Sequence, residues 1–300
     1  MKHVSVLLNE ILHHLDVKPN GIYIDATLGG GGHSLEILKR LDPTKGGFLY
    51  CFDVDNFAIN EAKLKLKDYT NYEIINANFV NIKAELQKRG IFKIDGIIYD
   101  LGMSSFQIDD EKRGFSYMKD AKLDMRFDST AKISAYDIIN TYDFQKLKTI
   151  FYRYGEENNA PIIAKKIIES RPITTTFDLV KITDLVNKNQ KGHSAKKIFQ
   201  ALRIETNNEL SNLSISLEDA IDMLNQKCRI CVISFHSLED RIVKQLFNEY
   251  SSINMPLTVD IRGLIPILTL ITKHPIYPSI EEKNTNSRSI GAKLRVAVKN

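Results

Sequence analysis

The sequence predicts an α/β protein built on a doubly wound, mostly parallel sheet that carries an inserted helical domain. Strand-like and helix-like segments alternate four times in the first third of the chain, which is typical of parallel sheets. The first of these units holds four consecutive glycines, Gly29 to Gly32, between a strand pattern and a helix pattern. From Asp109 to about Arg203 only helical patterns occur, so this segment is predicted to be a separate domain.

The glycine run belongs to the stretch GIYIDATLGGGGHS, residues 21–34. Ile22 to Ile24 is predicted to be a strand, and the following helix is expected to begin at Leu35 with Ser34 as its N-cap. Glycine tolerates positive φ and lets a ligand approach the backbone closely. The sixth position of a Gly-x-Gly-x-x-Gly motif counted from Gly29 is Ser34, and no phosphate-loop lysine follows. The spacing alone therefore indicates a nucleotide-like cofactor and nothing finer.

Three further strands are predicted, each followed by a helix: residues 47–53, 72–77 and 94–99. Asp53 ends the second strand. In nucleotide-binding sites of this kind, an acidic residue ~20 residues after the glycines binds the ribose hydroxyls, and Asp53 lies close to that spacing. Asp55 is expected to cap the next helix. Phe79, just past the third strand, fits a core position better than an adenine contact on this evidence alone. Asp100 follows the fourth strand and is either a site residue or a turn residue.

Strand character returns at Arg229 to Phe235, and a last strand, Ala292 to Lys299, is predicted to pair antiparallel. The core is therefore expected at 1–108 and 206–300, with the helical domain at 109–205. Three cysteines are too few for a disulfide framework. Two of them form a Cys-x-x-Cys pair within a strand, without a second ligand pair at zinc spacing, so no metal site is predicted.

The chain carries its excess positive charge in the predicted helical domain. Residues 109–205 hold 18 Lys and Arg against 14 Asp and Glu, a difference of +4 that equals the net charge of the whole chain. The stretch from Lys188 to Arg203, near its end, has five basic residues and no acidic one: Lys188, Lys191, Lys196, Lys197 and Arg203. A solvated helix face and a phosphate-contacting patch explain this charge equally well.

No segment resembles a signal peptide or a membrane span. Lys2 and His3 are followed by an amphipathic pattern instead of an apolar block. The apolar run Leu264 to Ile271 is interrupted by Pro266 and is too short to cross a bilayer. We therefore expect a soluble cytoplasmic protein without a membrane partner.

Eight short blocks, in order along nearly the whole chain, exceed what a generic α/β pattern explains. They are VLLNE (6–10), DATLGGGGHS (25–34), DLGMSS (100–105), RGFS (113–116), LDMR (123–126), YGEE (154–157), FQALRI (199–204) and SFHSLEDR (234–241). Through these blocks the sequence resembles the RsmH (MraW) family of S-adenosylmethionine-dependent methyltransferases of bacterial small-subunit ribosomal RNA. The resemblance implies a Rossmann-like class I methyltransferase core with an inserted RNA-substrate domain.

The resemblance also implies the reaction, which is methyl transfer to the exocyclic N4 amine of a cytidine in the decoding region of 16S ribosomal RNA. The implied cofactor is S-adenosylmethionine, and the partner is small-subunit RNA, within the 30S subunit. Seven positions match the family's cofactor contacts: Gly31, Gly32, His33, Asp53, Phe79, Asp100 and Gln107. The alternatives are a non-catalytic RNA-binding or ribosome-assembly protein that retains the pocket and, more remotely, a Rossmann dehydrogenase. The oligomeric state stays open.

Two residues are candidates for the chemistry. Asp100 has the right group to accept an N–H of the amine, or to hold the ammonium of the cofactor. His236 stands at the end of the fifth strand, where it either contacts the base, relays a proton, or only fastens a loop.

The helical insert is expected to supply the phosphate contacts that hold the RNA. Four basic side chains are the candidates: Arg126, Lys196, Lys197 and Arg203. The sequence departs from the family pattern at Ser194 to Lys197 and at Ile290-Gly291, so RNA docking is more affected than chemistry.

Overall fold

The computed structural model describes residues 5–103, 110, 112–188, 192–253 and 264–300. The chain divides into two compact units. The first comprises Met1–Gly102 with Leu210–Asn300, and the second is Met103–Glu209. The second unit thus starts at Met103 instead of Asp109 and ends at Glu209 instead of Glu205.

The first unit is built on a seven-stranded sheet with the order β3-β2-β1-β4-β5-β7-β6. Its strands are β1 (Ile22–Asp25), β2 (Phe48–Asp53), β3 (Tyr72–Asn76), β4 (Ile94–Asp100), β5 (Leu224–Ser234), β6 (Leu268–Leu270) and β7 (Lys293–Lys299). Strands β1 to β5 pair in parallel, and β7 pairs antiparallel with β5 and β6. The predicted doubly wound, mostly parallel sheet and its antiparallel last strand are confirmed.

The central strand β4 shows why these segments form a parallel sheet. Ile97 and Tyr99 belong to the apolar cluster on one face, and Ile98 belongs to the cluster on the other. Successive side chains of a strand point to opposite faces, so a continuous apolar run buries both. The polar residue Asp100 ends the run, and it lies at the carboxyl end of the strand.

The described helices, in chain order, are α1 (Leu8–Leu15), α2 (Gly32–Leu38), α3 (Asn56–Leu66), α4 (Ile82–Lys88), α5 (Ala135–Thr141), α6 (Phe144–Gly155), α7 (Ala160–Glu169), α8 (Thr176–Val186), α9 (Lys196–Asn207), α10 (Glu209–Met223), α11 (Ser237–Tyr250) and α12 (Ile280–Thr285). Within the described part of the chain, every helix falls short of the length and apolar content that crossing a bilayer demands.

The second unit has its own apolar core, formed by α5 to α9. Three of its helices begin where side-chain caps satisfy free backbone N–H groups, whereas α7 and α9 begin without such a cap. Ser134 and Thr175 each form a reciprocal capping box, and Asp143 caps α6. Four helices lie within residues 135–186, so the helical patterns predicted for this part of the segment are confirmed.

Candidate active site

The loop between β1 and α2 depends on its glycines. Gly29 and Gly31 adopt φ values of +49° and +70°, in the left-handed region that favours glycine. A Cβ on Gly32 would lie 2.0 Å from Oγ of Ser5, so a side chain at this position would require the Ser5 hydroxyl to move. The loop therefore brings bare backbone to the carboxyl ends of the strands, which is where open parallel sheets bind ligands.

Asp53 at the end of β2 holds this loop. Its Oδ2 accepts a hydrogen bond from the Gly29 N–H at 2.8 Å, and its Oδ1 accepts one from the Asp55 N–H at 2.9 Å. Burial raises the pKa of Asp53 to about 6, against the opposing effect of these bonds. The carboxylate is thus mostly ionised at neutral pH and keeps acceptor capacity on both oxygens. Asp55 caps α3 through the Phe57 N–H, as predicted.

Ser34 is not the N-cap of α2, so this prediction is wrong. The helix begins at Gly32, because Gly31 adopts the left-handed conformation and its carbonyl accepts from the Leu35 N–H at 3.0 Å. The Ser34 hydroxyl is buried and donates to Oδ2 of Asp25 at 2.6 Å. Thr27 N–H donates to the other Asp25 oxygen at 3.1 Å.

Asp25 is a buried carboxylate for which the sequence predicts no role. Burial raises its pKa to about 6, and the bond from Ser34 opposes that shift. The signal that was available is its position, because it ends a parallel strand directly before the glycine run. Sequence alone does not reveal that a serine nine residues later closes back on it.

Asp100 ends β4 beside this loop. Its backbone N–H donates to Oγ1 of Thr27 at 2.6 Å, which fixes the strand end against the loop. The side chain keeps 26% of its surface accessible, yet its Oδ1 is shielded and has no hydrogen-bond partner among the described residues. Burial, with smaller contributions from the carboxylates of Asp25 and Glu239, raises the pKa of Asp100 to about 8. This carboxyl group is the strongest candidate for contact with a ligand donor.

His33 lies in the first turn of α2 and is buried. Its Nε2 is 3.0 Å from the carbonyl oxygen of Val6, and its Nδ1 is 3.7 Å from Oδ2 of Asp100. A carbonyl oxygen only accepts hydrogen bonds, so the proton of the neutral ring is on Nε2. The structure thus brings His33 and Asp100 together at the loop.

Phe79 follows β3 in a short 3-10 turn, Phe79–Asn81, and is half-buried. Its ring meets the Tyr99 ring edge to face, with centroids 5.9 Å apart and an interplanar angle of 83°. It packs against the core cluster while keeping part of its surface accessible. Gln107, the seventh predicted cofactor contact, lies outside the described residues.

His236 is the N-cap of α11, as the loop-fastening interpretation expects. Its Nδ1 accepts from the Glu239 N–H at 3.4 Å, and the Glu239 carboxylate accepts from the backbone N–H groups of Phe235 and His236. The ring Nε2 lies 3.1 Å from Oε1 of Glu239. The reciprocal cap engages Nδ1, whereas Nε2 is buried without a hydrogen-bond partner among the described residues, and contact with a base stays a prediction.

The four predicted RNA contacts differ in how they are engaged within the helical unit. Arg126 makes a two-pronged ion pair with Asp124, and Arg203 makes one with Glu209 at 2.8 and 2.9 Å. Lys197 donates to the carbonyl of Glu156 at 2.9 Å. Lys196, the first residue of α9, is exposed. The carboxylate partner of each arginine compensates its charge, which weakens its attraction for a phosphate.

The chain is similar to known proteins along its whole length. Residues 1–300 match the family described as the MraW methylase family. A protein of Acholeplasma laidlawii is 54% identical over 300 residues, covering 100% of this chain and 99% of that protein. Proteins of onion yellows phytoplasma (51%, covering 99% and 97%) and Mycoplasma mycoides (48%, covering 100% and 99%) are also similar.

These relatives are named ribosomal RNA small subunit methyltransferase H, with the number 1 added for the first. Full-length identity at this level, together with the family match over every residue, means that the chain belongs to the MraW methylase family.

Proposed function

We propose that this chain transfers a methyl group from S-adenosylmethionine to the N4 amine of a cytidine in the decoding region of 16S ribosomal RNA. Family membership supports methyl transfer, and the names of the relatives support ribosomal RNA of the small subunit as the substrate. The observation that carries the proposal is Asp100. It presents a buried acceptor atom without a hydrogen-bond partner among the described residues, beside the glycine loop.

The residues at this edge of the sheet fit the proposed cofactor. The glycine loop offers close backbone approach, and Asp53 offers acceptors for two ribose hydroxyls. The partly accessible ring of Phe79 offers an apolar face for adenine. A buried acceptor without a partner costs roughly 1–3 kcal/mol, so the Oδ1 of Asp100 gains from a ligand that donates an N–H.

When bound, S-adenosylmethionine supplies a methyl group already activated on a sulfonium centre. The N4 amine of cytidine is a weak nucleophile because its lone pair is delocalised into the ring. A carboxylate that accepts one of its N–H bonds returns electron density to the nitrogen and can take the proton. Asp100 is suited to this role, and equally to fixing the ammonium of the cofactor. In either role it must be ionised, whereas its burial favours the neutral form.

The proposal is tested by mapping modified nucleotides. Small subunits and naked small-subunit RNA are each incubated with the chain and with isotope-labelled S-adenosylmethionine, and the digested RNA is analysed by mass spectrometry. We expect one labelled methyl group, on N4 of a cytidine in the decoding region. Asp100→Asn, which keeps the size of the side chain but not its charge, should lose at least about 100-fold in rate.

Three outcomes would overturn the proposal. RNA that stays unlabelled under saturating cofactor would favour a non-catalytic assembly protein. A methyl group on another atom or nucleotide would contradict the proposed substrate. Full activity of Asp100→Asn would remove this residue from the mechanism.

A further inference from the structure

The outer side of helix α6 (Phe144–Gly155) differs in composition from an ordinary solvated helix face. Its sequence, FQKLKTIFYRYG, contains three basic residues and no acidic one. Leu147, Ile150 and Phe151 are buried and form the inner side, which packs within the helical unit. On the outer side the aromatic ring of Tyr152 is 65% exposed.

Each of the three cations of α6 lies near an aromatic ring. The Lys146 ammonium is 5.4 Å from the centroid of Tyr142, and the Lys148 ammonium is 6.0 Å from that of Phe144. The Arg153 guanidinium is 5.9 Å from the centroid of Tyr154. All four cation–π contacts made by the described residues lie in the helical unit, and these are three of them.

None of these three cations forms an ion pair with a carboxylate of the described residues, in contrast to other cations of the same unit. Lys165 pairs with Glu169 on α7, and Lys181 pairs with Asp178 on α8. A cation near a ring keeps its charge available on the side that faces solvent, whereas an ion pair neutralises it. The outer side of α6 therefore carries three cations and an exposed aromatic ring, and the carboxylates that flank the helix, Asp143 and Glu156, stand at its two ends.

This combination matches the chemistry of single-stranded nucleic acid. Lysine and arginine neutralise phosphates, and an exposed aromatic ring stacks against a base that is not paired. An acidic protein surface would use the cations but would leave the large exposed ring without a specific role. The alternative positions Arg126 and Arg203 are already engaged by Asp124 and Glu209.

We infer that the α6 outer face, defined as Lys146, Lys148, Tyr152 and Arg153, binds a single-stranded segment of the substrate RNA. The three cations contact phosphates of that segment from the two flanks of the helix, and one base stacks on the ring of Tyr152. This inference rests on the proposed function and names the surface through which the RNA is held.

The charge component is tested with the triple variant K146Q/K148Q/R153Q. Its binding to small-subunit RNA is measured by fluorescence anisotropy at several salt concentrations and compared with wild type. Each phosphate contact to a single strand contributes about 0.7 to the slope of log K against log salt, so the slope should fall by about 2. The control K165Q/K166Q/K181Q removes the same charge from α7 and α8 and should change the slope much less. If the slope changes equally in both triple variants, net charge alone explains the effect and the inference is overturned.

The stacking component is tested with Tyr152→Ala and Tyr152→Phe. We expect Tyr152→Ala to weaken RNA binding at least about fivefold, because base–aromatic stacking contributes roughly 1–3 kcal/mol, and Tyr152→Phe to bind like wild type. Tyr136→Ala, which truncates another exposed tyrosine of the unit, is the matched control. Cofactor affinity and the unfolding midpoint should stay unchanged in all three variants.

The results separate the inference from the proposed function. Wild-type protein that neither binds nor methylates small-subunit RNA would contradict the proposed function itself. If the wild type binds and methylates the RNA and the α6 variants do the same with unchanged affinity, only the inference fails. If the α6 variants lose affinity for acidic peptides but not for RNA, the α6 outer face binds a protein partner. That result would overturn the inference as well.

Discussion

Nδ1 of His33 lies 3.7 Å from Oδ2 of Asp100, while the hydrogen bond from Nε2 to the Val6 carbonyl keeps the ring proton on the far nitrogen. The neutral imidazole therefore turns a lone pair, and not a proton, toward the carboxyl group. Burial, together with the carboxylates of Asp25 and Glu239, raises the pKa of Asp100 to about 8. The neutral form of Asp100 is therefore favoured below that pKa.

The first prediction concerns the pH dependence of activity. Because Asp100 is neutral below its raised pKa of about 8 and must be ionised to accept a proton, kcat/KM should rise about tenfold per pH unit below that value and level off above it. The measurement is kcat/KM for the cofactor across this range. The residual activity of Asp100→Asn should show no such limb. A wild-type profile that is flat between pH about 6 and 8 would exclude ionisation of Asp100 as a requirement.

The second prediction concerns stability. The folded-state pKa of Asp100 lies above its unfolded value, so the folded state binds the proton more tightly and the free energy of unfolding falls as pH rises from about 4 to about 8. Asp100→Asn removes this dependence. Its free energy of unfolding relative to wild type should therefore increase with pH, by a few kcal/mol in total, since one pKa unit corresponds to about 1.4 kcal/mol. Urea unfolding at pH about 5 and about 8 measures the free energy of unfolding of both proteins. A difference between the two proteins that is the same at both pH values would contradict the prediction.

The third prediction concerns the buried pair of Ser34 and Asp25. Ser34→Ala removes a 2.6 Å hydrogen bond to a buried carboxylate and should lower the free energy of unfolding by roughly 1–3 kcal/mol at neutral pH. Thr44→Ala removes a hydroxyl–carboxylate bond of equal length to Asp42 in an exposed position, where water replaces the lost donor. Chemical denaturation of both variants gives the comparison. Similar losses would show that burial of Asp25 adds nothing to the value of its hydrogen bond.

The fourth prediction concerns Asp53. If its carboxylate binds the ribose hydroxyls, Asp53→Asn should weaken S-adenosylmethionine binding roughly 10- to 100-fold, because hydrogen bonds to charged groups contribute roughly 1.5–3 kcal/mol. Asp55→Asn is the control, since asparagine caps a helix about as well as aspartate and this residue acts as the cap of α3. Isothermal titration calorimetry measures both affinities. Unchanged binding in Asp53→Asn would exclude the ribose contact.

The strand ends were predictable because the physics that forms them is local in sequence. The short apolar runs that end in Asp53 and Asp100 are typical of buried parallel strands, and parallel strands carry those residues to one edge of the sheet. The three-residue strand β6 was missed because so short a segment has no readable period. The true start of α2 was missed because it depends on the left-handed conformation of Gly31, one of four adjacent glycines.

The ion-pair and hydrogen-bond partners of the charged side chains could not be predicted from the sequence. Arg126 and Arg203 are visible as cations, but their capture by Asp124 and Glu209 follows from the fold of the helical unit. The same holds for His33, whose ring orientation is set by the carbonyl of Val6, 27 residues away. Sequence patterns identify which side chains reach a strand end or a helix, and packing decides which of them stay available.

The central claim is that the glycine loop, Asp53 and Asp100 form one cofactor site, and crystals of the chain soaked with S-adenosylhomocysteine test it most directly. We expect the ribose at the Asp53 carboxylate and the amino acid end within hydrogen-bond distance of Oδ1 of Asp100. A ligand bound elsewhere, or no ligand density beside the glycine loop at saturating concentration, would contradict the account.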